Sequence, residues 1–461
     1  MIKIGLEIHG YIDTKEKLFC SCASVHGAKL TKPNVNICPI CTGQPGAKPM
    51  APNKEAIKKS IQVALILGCK VGASGRAGGE LAWQRKHYSW PDLPKGYQNT
   101  LSGPHASPIG EKGKFLGINI KECHLEEDPA AWNPQTGEID YNRSGIPLIE
   151  IVTEPEFKNS EQVEKWLREL IITLGYVKAL NRESGIKADV NVSIKKSNYK
   201  KFEIKNVNSI VNIKNAIDSE IQRQESLKEF PKEQETRMYD PVKKITKKMR
   251  SKEEAQDYRF VSDPDLPKII LKDTRINSLK KTIPETPTKK LERLIKKHKI
   301  PKRSAEILTK NIDVIELFEK TIKEIDSKLA IRWVSEELFS VLNHNKKKLD
   351  EISLDPVHFI SLLKLIEKRT LSEPKAREIL RSWKEESSPP DKNIKMHEQI
   401  SDDKEIEKAV SKIIKENPDA VKDYQSGKEG TINFLMGKVM HATNKRADYN
   451  LAKKILEDKL K

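Results

Sequence analysis

The sequence predicts an α+β protein whose first 265 or so residues mix strands with helices and whose remainder is all-helical. Two observations carry this. Residues 1 to about 265 hold short β-type runs separated by Gly-rich turns, whereas no glycine occurs between Lys289 and Gly427. Across that second stretch apolar residues recur at helical spacing, as in Leu291, Leu294 and Ile295 and again in Phe359, Leu362, Leu363 and Ile366.

The strands expected in order are Ile2–Ile8, Phe115–Ile120, Leu148–Val152, Val190–Ile194 and Phe202–Lys205, each rich in β-branched or aromatic residues. Three helical stretches interrupt them, Asn53–Leu67, Ser160–Leu174 and Val211–Leu227. Lys268–Arg303 carries 13 basic and 3 acidic residues together with Pro284, Pro287 and Pro301. Dense lysine with proline reads as a linker or domain junction. Ser387-Ser-Pro-Pro-Asp391 marks a second junction near 390–400. No internal repeat is visible.

The chain has 461 residues, of which 84 are Lys or Arg and 66 Asp or Glu, a net charge of +18. That balance suits a polyanionic partner such as nucleic acid, or simply a solvated basic surface. The longest apolar run, Val63–Leu67, is far short of the roughly 20 residues of a membrane span. Met1-Ile-Lys-Ile-Gly5 runs straight into Glu7 with no apolar leader, so a cytoplasmic protein is expected.

Four of the six cysteines form Cys20-x-Cys22-x15-Cys38-x2-Cys41. Two close pairs on short turns can offer four thiolates to one tetrahedral Zn²⁺, and a site closed by four protein ligands is structural. Buried or redox-active thiols are the other reading. Cys69 and Cys123 stand alone and are expected in the core.

Three acidic segments suggest a second metal site. In Gly5-Leu-Glu-Ile-His9 the alternation puts Glu7 and His9 on one strand face, about 7 Å apart. His124-Leu-Glu-Glu-Asp128 supplies Glu126 and Glu127, and Glu150 interrupts the apolar run Pro147–Val152. A carboxylate in such a run must be paired, protonated or metal-bound. Convergence of these segments would create a hard-cation site; separately, each charge can lie on the solvated face of its strand.

Arg85-Lys-His-Tyr88 and Pro91-Asp-Leu-Pro-Lys-Gly-Tyr-Gln98 form a polar, aromatic loop region able to hold phosphate and stack a base, or to be plain solvated surface. There is no G-x-x-x-x-G-K-[ST], no G-x-G-x-x-G after a strand and no G-x-S-x-G. These absences argue against a P-loop NTPase, a dinucleotide fold and an α/β-hydrolase.

Taken in order, these blocks resemble the B-subunit family of aspartyl/glutamyl-tRNA(Asn/Gln) amidotransferases, in an archaeal-like version. Further matching residues are Asp189-Val-Asn-Val-Ser-Ile194, Glu203-Ile-Lys-Asn206, Arg250-Ser-Lys-Glu-Glu254, Asp257-Tyr-Arg259 and Asp263-Pro-Asp-Leu-Pro267. Near the C-terminus, Glu416-Asn-Pro418, Tyr424, Phe434-Leu-Met-Gly-Lys-Val-Met440 and Ala442-Thr443 also match. The sequence departs from the family pattern at Gln84, Ser89-Trp90, Asn99-Thr100, Pro129-Ala-Ala-Trp132 and Asn444-Lys-Arg446.

The resemblance implies a glutamine-synthetase-like catalytic cradle with a zinc knuckle over 1–290, an all-α helical domain over 291–398 and a small all-α tRNA-contacting tail over 399–461. It implies ATP-dependent phosphorylation of the side-chain carboxylate of Glu on tRNA(Gln) or Asp on tRNA(Asn), followed by displacement of phosphate by ammonia. A separate amidase subunit would supply the ammonia, and a small third subunit would complete the complex. By the same resemblance Glu7, His9, Glu126, Glu127 and Glu150 hold Mg²⁺. Arg85, Lys86, Tyr88 and Asp92 lie near the nucleotide and the amino-acid end of tRNA, and Lys205, Asn206 and Arg259 near phosphate or substrate. Two readings compete with it. One is a non-catalytic zinc-ribbon nucleic-acid-binding protein. The other is a class I aminoacyl-tRNA synthetase, suggested by Lys248-Met-Arg-Ser-Lys252 but lacking a partner motif at a strand–helix turn.

Overall fold

The computed structural model describes residues 1–25, 32–72, 79–88, 90–181, 184–251, 259–347, 349–390, 403–426, 428 and 430–460. The chain divides into two compact units, Met1–Pro287 and Thr288–Lys461.

A twelve-stranded sheet organises the first unit. Its strands are β1 (Ile2–Tyr11), β2 (Lys70–Val71), β3 (Gln84–His87), β4 (Tyr97–Thr100), β5 (Gly110–Phe115), β6 (Ile118–Glu127), β7 (Pro147–Thr153), β8 (Ile186–Ile194), β9 (Phe202–Asn208), β10 (Glu235–Asp240), β11 (Ile245–Ser251) and β12 (Arg259–Ser262). The order is β11-β10-β9-β8-β1-β7-β6-β4-β3-β12, with β5 also on β6 and β2 on β5. Among the described residues of this sheet, only β9 and β10 pair in parallel.

The alternation of β1 explains why the sheet has one dry and one polar face. Ile4, Leu6 and Ile8 are fully buried, while Glu7 and His9 between them are half-buried. The dry face packs on helices α1 (Lys54–Ile66), α2 (Ser160–Tyr176) and α3 (Ile210–Ser226) through Ile57, Ile61, Val163, Leu167, Leu170, Ile213 and Ile217. Each such aliphatic side chain contributes roughly 1.5–3 kcal/mol by leaving water. The three helices start where the sequence offers a cap. Asn53 accepts from the backbone N–H of Glu55 and Ala56, Asn159 from that of Gln162, and Ser209 from that of Asn212. Cys69 and Cys123 are in this core, as expected.

One local expectation fails and another is sharpened. The run Phe115–Ile120 is not a strand but the turn between β5 and β6. Leu116 and Gly117 both take left-handed φ values, +45° and +85°, and the apolar residues on either side belong to different strands. The proline- and lysine-rich segment 268–303 is a domain junction, as expected, since the two units divide at Pro287–Thr288, but it is folded and not an open linker. It forms helices Asp273–Thr282 and Pro287–His298, because Leu279 and Leu294 turn inward while most of the lysines face out; Lys290 is buried against Glu319.

The second unit is helical throughout its described residues. Phe318, Trp333, Val334, Leu338, Phe359 and Leu363 are buried in its first part. Its last four helices, Asp403–Glu416, Pro418–Gln425, Thr431–Ala442 and Tyr449–Leu460, close over their own core of Ile406, Val410, Leu435, Val439 and Leu456. The junction expected near 390–400 falls outside the described residues, except Ser387–Pro390 at its start, as do Lys252, Glu253, Glu254, Asp257 and Tyr258.

Candidate active site and metal centres

The three acidic segments meet because β1, β7 and β6 are neighbours. His9 stands opposite Glu150, and Glu150 opposite His124. Glu126 lies two residues along from His124 and therefore on the same face. His9 Nε2 is 3.4 Å and His124 Nε2 3.2 Å from Glu150 Oε2, and His124 Nε2 is 3.8 Å from Glu126 Oε2. His9, Glu126 and Glu150 each present a ligand atom within 4.8 Å of the others.

The electrostatics follow from packing charges into a half-dry band. Burial would push both imidazoles down, but Glu150 outweighs it, raising His9 to about 9 and, with Glu122 and Glu126, His124 to about 10. Burial pushes Glu150 up, yet the two histidines hold it well below the usual carboxylate range. Glu126 goes the other way, raised by burial and by the charge of Glu150. His124 Nδ1 lies 3.1 Å from Glu122 Oε1 but outside hydrogen-bonding geometry. The carboxylates and imidazoles are close enough to share a cation, which would relieve the repulsion between Glu126 and Glu150.

Glu7 belongs to a neighbouring cluster. It pairs across β1 with Asp189 rather than Glu150, and Glu7, Asp189 and Glu203 form a second group within 4.8 Å. Asn191 Nδ2 donates to Glu7 Oε1 at 3.1 Å. Lys205 Nζ bridges Asp189 at 2.5 Å and Glu203 at 2.9 Å, and the Asn206 backbone N–H donates to Asp189 at 2.7 Å. At the other end of the same face Tyr11 donates to Asp128 at 2.8 Å, and Arg143 Nε lies 3.0 Å from the same carboxylate.

Adjacent residues in a strand face opposite ways, and this divides two pairs. Glu127 turns away from Glu126 to accept from Lys95 Nζ at 2.5 Å and from the Asn99 backbone N–H at 2.9 Å. Lys86 shares the face of Glu126 through Gln98 and Thr100, and its charge draws Glu126 down. Arg85 is on the other face. It is clamped by Asp263 at 2.9 Å and Asp265 at 2.7 Å, and lies 4.4 Å over the Tyr97 ring. Asp92 and Tyr88 come near Arg143, and among the described residues the buried Oδ1 of Asp92 has no hydrogen-bond partner. Arg259 is exposed on β12, opposite His87.

The four cysteines gather as their spacing suggests. All four sulfurs lie within 4.8 Å of one another, and none is in a disulfide. Zn–S bonds of about 2.3 Å place tetrahedral sulfurs about 3.8 Å apart, and Cys38 and Cys41 stand at 3.8 Å. Gly43 permits the knuckle. Its φ is +63°, and a Cβ there would collide with the Pro94 carbonyl. Cys41 is held below the ordinary thiol range by a hydrogen bond from Cys20, with smaller help from the Cys38 backbone and from Lys17. The donor set fits zinc.

Residues that the sequence did not single out for the site are His124, Glu122, Asp189, Glu203, Arg143 and Asp263. For the first four the signal lies in the strand register, which sequence spacing does not disclose; Arg143, in the turn Tyr141–Arg143, and Asp263, just past β12, are brought in by the connections.

Residues 2–277 match the family described as GatB/GatE catalytic domain, and residues 316–460 the GatB domain. The chain is 39% identical to the aspartyl/glutamyl-tRNA(Asn/Gln) amidotransferase B-subunit of Methanocaldococcus jannaschii, over all of this chain and 98% of that protein. It is 40% identical to the B-subunit of Methanococcus maripaludis strain C6, over 100% and 98% of the two chains. For Methanothermobacter thermautotrophicus the identity is 39%, with both chains fully covered. A catalytic-domain match over residues 2–277, a second match in the helical unit and full-length relatives from several archaea agree: this chain belongs to the B-subunit family of aspartyl/glutamyl-tRNA(Asn/Gln) amidotransferases.

Proposed function

We propose that this chain is the subunit that activates and amidates misacylated tRNA. ATP phosphorylates the side-chain carboxylate of Glu on tRNA(Gln) or Asp on tRNA(Asn), giving an acyl phosphate and ADP. Ammonia then adds to the acyl carbon, inorganic phosphate leaves and a proton is lost, giving the amide. The observation that carries this reading is the His9–Glu126–Glu150 cluster at the centre of the sheet in a chain of this family.

Phosphoryl transfer asks for positioning and charge neutralisation rather than a protein nucleophile. His9, Glu126 and Glu150 would hold Mg²⁺, whose charge offsets that of the phosphates. Glu7, with Asp189 and Glu203, edges the same site, and Lys205 is placed to exchange a carboxylate for a phosphate oxygen. Lys86, on the face of Glu126, would reach the nucleotide. Arg85 and Glu127 act through the loops they fasten, while Tyr88, Asp92, Asn206 and Arg259 surround the substrate end. Cys20, Cys22, Cys38 and Cys41 would hold a structural zinc.

Ammonia comes from the partner amidase subunit, and the small third subunit completes a cytoplasmic complex. The helical unit reads as two parts, a helical domain over 291–398 and a tRNA-contacting tail over 399–461, supported by the separate core of the last four helices. Family membership favours this reading over a non-catalytic zinc ribbon. The test is ATP consumption by the full chain assembled with its amidase partner. ADP formation should require misacylated tRNA, and consumption indifferent to that tRNA would refute the proposal.

A further inference from the structure

Lys17 is among the largest fully buried side chains in the protein, 1% exposed. Its stem packs near Gly145, and its ammonium ends inside the cysteine knuckle. There it donates to the Asn36 carbonyl at 3.0 Å, and lies 3.5 Å from the Tyr141 carbonyl and 3.5 Å from Cys41 Sγ. Among the described residues no carboxylate comes within ion-pairing distance of it. A buried ammonium with only neutral carbonyls for company is costly, and interiors tolerate such a group when an anion is beside it. The group in contact with it that can carry negative charge is the sulfur of Cys41, one of the four clustered thiols.

The four-cysteine site has the complementary problem. Four thiolates around Zn²⁺ leave a net charge of −2 in a half-buried knuckle. One ammonium against one of those sulfurs halves the excess, and a donor aimed at a ligand sulfur moderates its basicity. We propose that Lys17 is the built-in counter-cation of the zinc site, which keeps the metal in place. This rests on the reading of the cysteines as zinc ligands.

The placement gives that role a structural consequence. Lys17 and Cys41 both fasten the connection that leads into β7. Lys17 does so through the Tyr141 carbonyl, and Cys41 through its own carbonyl, which accepts from Ser144 Oγ at 2.8 Å. The Leu18 backbone N–H donates to the Gly145 carbonyl at 2.8 Å, and the Gly145 N–H to that of Asp128 at 2.9 Å. The knuckle thus holds the ends of the two strands that carry Glu126 and Glu150.

The experiment compares zinc release from the full-length chain to a chromogenic chelator, with Lys17→Gln and Lys17→Arg beside the wild type. Glutamine keeps a donor for the carbonyls and removes the charge; arginine keeps the charge. Lys17→Gln should release zinc at least about tenfold faster than wild type, and Lys17→Arg within about threefold of it. Release from Lys17→Gln at the wild-type rate would overturn the proposal. So would release from Lys17→Arg tenfold faster than wild type, which would mean that packing holds the metal. Lys17→Arg decides the matter alone if the glutamine variant does not fold. A wild-type chain that binds no stoichiometric zinc would overturn the zinc reading itself, and this inference with it.

Discussion

His9 and Glu150 stand directly opposite each other on antiparallel β1 and β7, with imidazole Nε2 3.4 Å from carboxylate Oε2. The pair sets the chemistry of the polar face, because each group holds the other in its charged form. A divalent cation arriving between them must displace the proton on the imidazole.

The proposed Mg²⁺ site therefore predicts an affinity that depends on pH in a definite direction. Against the effect of burial, Glu150 raises His9 to about 9, so it is protonated at pH 7 and becomes a free ligand as pH rises through 9. Apparent affinity should climb between pH 7 and 9, by up to about tenfold per unit for one released proton, and level off above. Calorimetric titration in two buffers of different ionisation heat counts that proton. Affinity flat across the range would show that His9 is no ligand.

Glu126 and Glu127 should separate cleanly. Glu126→Gln removes a member of the cluster and should weaken Mg²⁺ binding by on the order of tenfold or more. Glu127→Gln disturbs the buried contacts with Lys95 and Asn99 instead. It should leave Mg²⁺ affinity within about twofold and lower unfolding free energy by about 1–3 kcal/mol. Equal loss of metal affinity in both variants would contradict the facing of β6.

Zinc removal should loosen the first unit. A metal present at a thousand times its Kd stabilises by about 4 kcal/mol, so stripping it with a chelator should lower the melting midpoint of this unit by roughly 10 °C. An unchanged midpoint in zinc-free protein would mean the cysteines hold no structural metal.

The basic stretch after the first unit makes a salt-dependent prediction. Lys290 and Arg293 are engaged by Glu319, whereas Lys296, Lys297, Lys299 and Arg303 are exposed. Neutralising those four should weaken tRNA binding and reduce the slope of log affinity against log salt by about three to four. A slope that does not move would leave them as plain surface.

The parts of this architecture legible in the sequence are those governed by local periodicity. Strand alternation placed Glu7 and His9 on one face, and cysteine spacing brought four thiols together. The glycine-free stretch is helical in its described residues. Pairing between distant strands is different in kind. Glu7 and His9 are two residues apart yet join different clusters, because β8 brings Asp189 to one and β7 brings Glu150 to the other. His124 and Asp189 matter only through such register, and Phe115–Ile120 reads as a strand until the turn at Leu116–Gly117 divides it.

In the proposed reaction, amidation of tRNA proceeds at the cluster built on Glu150. The most direct measurement is amidated tRNA formed by the complete amidotransferase carrying Glu150→Gln, with glutamine hydrolysis followed in the same reaction. ATP-dependent amidation should fall by about 10²-fold or more, with glutaminase activity retained in the amidase partner. Amidated tRNA formed at the wild-type rate would contradict it.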